Sequence, residues 1–138
     1  MEFIILNEDK FNELKGLQSA YKVEIGEDAP NEENFESLYK AIMHNNITFY
    51  GCVFDEKLVA CCSICKTYST FNYDVGGVLE DFYIMPDYRH KGIARKLVRY
   101  AYNASGVTSL TVGAADCDVE MYKALGFTIG IGNLLAFA

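Results

Sequence analysis

One stretch constrains this chain more than any other: Glu80-Asp81-Phe82-Tyr83-Ile84-Met85-Pro86-Asp87-Tyr88-Arg89-His90-Lys91-Gly92-Ile93-Ala94-Arg95. It reads as a buried strand over Val78 to Met85, a proline-marked exit, a basic glycine turn and the first residues of an amphipathic helix. Beyond the turn, Ile93/Ala94, Leu97/Val98 and Ala101 recur at helical spacing, while Arg95, Lys96 and Arg99 fill the remaining arc. A helix start carries N–H groups without intrahelical acceptors and a partial positive charge, so an anion is favoured there, and Gly92 lets the backbone approach it. Between Tyr88 and Ala115 there is no Asp or Glu, although the whole chain carries a formal net charge of -7. A local positive field in an acidic protein points to a small anionic ligand.

At 138 residues the chain is long enough for a real core and short for two, so residues 1–138 are expected to form one domain. The hydrophobic fraction of 51% and charged fraction of 22% exclude a disordered chain. No run of about 18 apolar residues occurs, and Met1 to Asp9 lacks the basic start of a secretory leader, which gives the expectation of a soluble cytoplasmic protein with no membrane partner. A sequence pI near 4.7 argues against nucleic acid as a partner. The five cysteines, Cys52, Cys61, Cys62, Cys65 and Cys117, are read as reduced thiols. Cys62-x-x-Cys65 has no second pair or His cluster to complete a zinc site, so no metal is expected. The first 36 residues are strongly acidic, either as a solvated helical surface or as a lip for a cationic acceptor.

The pattern along the chain predicts a strand from Glu2 to Leu6 and a helix capped by Asn7 with Phe11, Leu14, Leu17 and Tyr21 on one face. Asn31 caps a second helix with Phe35, Leu38, Tyr39, Ile42 and Met43 at helical spacing. Ile47 to Phe54 and Leu58 to Thr67 read as a hairpin turning at Asp55-Glu56-Lys57, and a loose stretch from Tyr68 to Gly77 leads to Val78 to Met85. The helix from about Lys91 to Asn103 and a strand Ser109 to Gly113 complete a βαβ unit with parallel strands. A short helix capped by Asp116 or Asp118 runs to Leu125, and Thr128 to Ala138 is expected to add one or two closing strands with a turn at Gly132-Asn133. The fold class is therefore α/β of the mixed α+β kind. Its sheet is mostly antiparallel with a central parallel pair, flanked by about four helices.

Arg89-His90-Lys91-Gly92-Ile93-Ala94 fits the turn Gln/Arg-x-x-Gly-x-Gly/Ala, and Glu120-Met121-Tyr122-Lys123-Ala124-Leu125-Gly126-Phe127 fits a late helix ending in Tyr-x-x-x-Gly-Phe. With these motifs in this order, the chain resembles the GNAT superfamily of acyl-CoA-dependent N-acetyltransferases. The resemblance implies acetyl-CoA as co-substrate, with the backbone of His90, Lys91, Gly92, Ile93, Ala94 and Arg95 on the pyrophosphate and Arg89 opening the turn. Phe82, Tyr83 and Ile84 would pair with the pantetheine arm as a peptide adds to a sheet edge. One N–H of that strand would stabilise the oxyanion of a tetrahedral intermediate, and no covalent enzyme intermediate is needed.

The resemblance also implies Glu80 as general base and Tyr122 as hydrogen-bond donor to the departing sulfur. Adjacent strand positions face opposite sides, so of Glu80 and Asp81 one is expected to face the acceptor, and Asp81 is read as paired with a neighbour. Arg89 is weighed as a partner of Asp87 or another nearby carboxylate. Two positions depart from the family pattern: Ala115 stands where Asn is common, and Asp118 where Ala is common. The acceptor is expected to be a primary amine of a small molecule, peptide N-terminus or lysine. The alternative is a non-catalytic acyl-CoA-binding regulatory module, and a second copy completing the short closing segment leaves a homodimer open.

Overall fold

The structure, a computed structural model, describes residues 1–137. Strand β1 (Glu2–Ile5) is followed by helices α1 (Phe11–Glu24) and α2 (Glu32–Met43), then by strands β2 (Thr48–Phe54), β3 (Lys57–Ser69) and β4 (Asp74–Ile84). Helix α3 (Ile93–Ser105), strand β5 (Leu110–Val112) and helix α4 (Val119–Ala124) follow. The sheet order is β1-β2-β3-β4-β5, antiparallel throughout except for the parallel pair β4–β5, so this is the mixed α/β fold that the sequence predicts.

Local chemistry fixes most boundaries. Asn7 accepts the Asp9 N–H at the 3-10 turn leading into α1. At α2 the cap is reciprocal: the Asn31 side chain accepts the Asn34 N–H at 2.8 Å, and the Asn34 side chain accepts the Asn31 N–H at 3.0 Å. The β2–β3 hairpin closes on a two-residue turn in which Asp55 and Glu56 both take positive φ, the twist that such tight turns require.

The sheet is packed on both sides. On one side α3 contributes Ile93, Leu97 and Ala101 to a core with Tyr50, Cys52, Cys62, Ile64 and Leu79. On the other, α1 contributes Leu14 and Leu17 to a core with Phe49, Leu58, Cys61 and Tyr83.

Two expectations are corrected. The stretch from Tyr68 to Gly77 is not loose: β3 runs to Ser69 and β4 begins at Asp74. Gly76 and Gly77 look like a loop in sequence, but side chains of β3 and of the chain crossing from α3 to β5 both come close to them. A Cβ on Gly77 would lie 2.8 Å from Ile64 Cγ2 and 3.1 Å from Val107 Cγ1, and one on Gly76 would lie 2.9 Å from Ser109 Oγ. The expected closing strands are also missing, since Thr128 to Phe137 form no regular structure; Ala138 lies outside the described residues. The three-residue β5 offers a short ladder to pair with, and Gly130 and Gly132 weaken the segment as a strand.

Candidate functional site

The site is organised by a bulge in β4. Cys62 pairs with Phe82 and Ile64 pairs with Leu79, so the single residue Ser63 faces both Glu80 and Asp81. Leu79 is buried in the α3-side core and Phe82 packs against that same core. In an unbroken strand, residues three apart point to opposite faces, so the bulge turns both intervening residues to the α1 side. The expectation that Glu80 and Asp81 face opposite ways is thereby corrected.

Asp81 is held there by Ser63. The Ser63 hydroxyl donates to Asp81 Oδ2 at 2.6 Å, and the Asp81 N–H donates back to Ser63 Oγ at 3.0 Å. Ser63 lies opposite Phe49, a residue of the α1-side core, and is fully buried. Glu80 is exposed, and its charge helps raise the Cys65 thiol pKa, after burial as the first cause.

Beyond the bulge, one edge of β4 has no strand partner among the described residues. Strand β5 pairs with β4 only over Gly77, Val78 and Leu79. The Met85 N–H donates to Val59 O on β3, so by alternation the Tyr83 groups face β3 while those of Phe82 and Ile84 face away from it. Tyr83 and Ile84 are buried and Phe82 is half-buried, so their side chains belong to the cores and their backbone forms the edge.

That edge runs into the cradle. Gly92 caps α3 with φ +81°, and the helix start has neither a side-chain cap nor an acidic residue in its first turn. A Cβ placed on Gly92 would meet nothing within 4 Å, so the glycine is required by its backbone angle, and open space lies in front of the turn. His90 also takes positive φ, at +60°, and its side chain is exposed. Ile93 is a core residue and Ala94 is half-buried, which leaves their main chain as what they can offer a ligand.

The basic side chains are less free than the sequence suggests. Arg95 Nη2 donates to Ala124 O at 2.6 Å, tying α3 to the end of α4. Lys91 Nζ lies 5.7 Å from the centre of the Tyr88 ring. Arg89 pairs with Glu24 at the end of α1, not with Asp87, and its Nε donates to Ile84 O at 2.8 Å.

Tyr122 closes the other side. Its ring meets Phe82 and Phe127 edge-on, with centroids 6.4 and 5.9 Å apart. Burial raises the phenol pKa, and the neighbouring Tyr21, Asp118 and Asp81 raise it further. Tyr21, on α1, stacks edge-on to Tyr83 at 6.1 Å. Sequence reasoning placed Tyr21 only as a core residue and did not single out Ser63. Both belong to the site because β4 brings α1 and β3 together there. The one sequence signal was a pair of adjacent carboxylates inside an apolar strand, a pattern that an unbroken strand with two buried faces accommodates poorly.

The arrangement offers an open strand edge, a helix start with no side-chain cap and no acidic residue in its first turn, a phenol that burial keeps protonated and two carboxylates on one face. The family model for an "Acetyltransferase (GNAT) domain" matches residues 45–129, which include the bulge, the edge, the cradle and Tyr122. No curated protein matches the chain. Among solved structures, a protein described as a probable acetyltransferase superposes with a TM-score of 0.83 at 17% identity, covering 100% of this chain and 99% of its own. An aminoglycoside acetyltransferase from an uncultured soil metagenomic sample, in complex with sisomicin, gives 0.83 at 15% identity over 99% and 94%. A predicted acetyltransferase of Clostridium acetobutylicum, solved with acetyl-CoA, gives 0.79 at 14% identity over 99% and 95%. At these identities the likeness is one of fold.

Proposed function

Because the chain belongs to the GNAT acetyltransferase family, we propose that residues 1–138 act as one catalytic domain that moves an acetyl group from acetyl-CoA to a primary amine. The observation that carries this reading is the continuity of the free β4 edge with the uncapped start of α3. A ligand with an amide-bearing arm and a pyrophosphate needs those two features in that order, and the open space in front of Gly92 accommodates it.

Acetyl-CoA supplies the activated acetyl thioester. The N–H groups from His90 to Arg95 bind its pyrophosphate, with Arg89 bracing the turn through Ile84 O. The outward backbone groups of Phe82 and the Ile84 N–H align the arm, with Tyr83 holding that edge to β3, and the outward N–H of Phe82 serves as a donor for negative charge developing on the acyl oxygen. Tyr122 keeps its proton because burial disfavours the phenolate, and so serves as a hydrogen-bond donor to the leaving sulfur. Glu80, exposed on the α1 side, takes the amine proton directly or through water. The acceptor is a small-molecule, peptide or lysine amine, and the sisomicin-bound neighbour supports the first of these.

Release of free thiol from acetyl-CoA, measured with a panel of amines, tests the reading. Amine-dependent thiol supports an acetyltransferase. Saturable acetyl-CoA binding with no thiol release across the panel would instead favour a binding module, and absence of acetyl-CoA binding would overturn both.

A further inference from the structure

The bulge leaves a carboxylate that the transfer chemistry above does not use. Asp81 lies next to Phe82, the residue whose N–H faces the open edge, and on the α1 side of the sheet. It is half-buried, and the hydrogen-bond partner of its carboxylate is a neutral hydroxyl, that of Ser63 at 2.6 Å. Among the described residues it is in no ion pair. The cations of the site are engaged elsewhere: Arg89 with Glu24, Arg95 with Ala124 O, and Lys91 over Tyr88. A carboxylate with no counter-charge of its own is available to attract an arriving cation.

Its orientation is also fixed. Ser63 is fully buried in β3 and grips Asp81 at both the carboxylate and the backbone N–H. That grip uses Oδ2, and no side chain among the described residues donates a hydrogen bond to Oδ1. Glu80 falls on the same face by the same bulge, so two negative groups border the place where the amine must approach Phe82. One amine reacts and must be neutral to do so, which leaves the second carboxylate to a second nitrogen.

We propose that Asp81, oriented by Ser63, is a specificity-determining residue that binds a second positive charge on the acceptor, making diamines and polyamines the acceptor class. The inference rests on the acetyl-CoA-dependent reading above. A simple strand pin, with Asp81 present only to hold Ser63, predicts no preference for charge.

Two conjugates separate these without needing turnover. Coenzyme A is linked through S–CH2–C(O)–NH to a 3-aminopropyl group in one and to a propyl group in the other, and both are titrated calorimetrically into the full chain. The protein should bind the aminopropyl conjugate about tenfold tighter or more, as a charge-assisted contact implies. Asp81→Asn keeps the shape and the Ser63 contact, so it should stay folded and lose that preference. Ser63→Ala frees the carboxylate and should reduce the preference without abolishing it. Equal binding of the two conjugates by the unaltered protein, or a preference that survives Asp81→Asn, overturns the proposal while leaving the coenzyme A site standing. Failure of both conjugates to bind overturns the coenzyme A reading, and this inference with it.

Discussion

Arg89 holds Glu24 from 65 positions further along the chain, its Nη2 lying 2.8 Å from Oε1 and 3.0 Å from Oε2 of the carboxylate. The same guanidinium sits 5.5 Å from the centre of the Tyr83 ring, and its Nε reaches back to Ile84 O. The last residue of α1 is thus fastened to the turn that leads into the cradle. Because both side chains are partly exposed, the pair is worth only about 0–1 kcal/mol. Glu24→Gln should therefore lower Tm by no more than about 4 °C. Since it loosens the α1 end that carries Tyr21, it should raise the acceptor KM while leaving acetyl-CoA affinity unchanged by calorimetry.

Gly92 separates two effects usually confounded at a glycine turn. A Cβ there meets nothing within 4 Å, yet φ is +81°, so Gly92→Ala should cost about 1 kcal/mol of backbone strain without a clash. Acetyl-CoA affinity should fall modestly. Gly92→Glu adds bulk and negative charge in the space before the helix start, and should weaken acetyl-CoA binding by about a hundredfold or more. Equal affinities for the two variants would remove the pyrophosphate from this turn.

Tyr122→Phe keeps the edge-on contacts with Phe82 and Phe127 and deletes only the hydroxyl. Turnover should fall about tenfold or more, with acetyl-CoA affinity changed less than about twofold. The pH dependence follows from the raised phenol pKa, caused first by burial. The folded state holds this proton more tightly than the unfolded chain does. Its contribution to stability is complete below the unfolded value of about 10 and is lost as pH rises through the higher folded one. No loss of turnover from Tyr122 ionisation should appear below pH of about 10; a Tyr122-dependent limb near neutrality would refute the buried-donor role.

The thiols give an independent check of the core. Cys52, Cys61 and Cys62 are buried while Cys117 is exposed. Burial pushes the Cys61 and Cys62 thiols well up, with the Asp81 charge a lesser cause. Iodoacetamide on the native protein should label Cys117 first and leave Cys61 and Cys62 untouched, as read by peptide mass spectrometry. The unfolded thiols ionise from about pH 8.5 while the folded ones stay protonated. Stability from them is full below that pH and declines as pH rises, so Tm should fall steadily between about pH 8.5 and 10.5. A flat Tm over that range would contradict the buried placement.

The elements legible from sequence are those written in local chemistry. The Asn31 cap, the Asp55-Glu56 turn, the helical period of α3 and the Gly92 turn each depend on residues within a few positions of one another. The strand-turn-helix unit and the Tyr122 to Phe127 element could therefore be found, and with them the family. What the chain alone determined is which residues can start helices, turn hairpins and bare a row of N–H groups, because backbone angles and capping are short-range. Only the tertiary structure decided that Glu80 and Asp81 share a face, since a bulge exists only relative to the partner strand that supplies Ser63. It alone gave Arg89 to Glu24, and placed Gly76 and Gly77 inside a strand, because those choices depend on groups that meet only after the chain has packed.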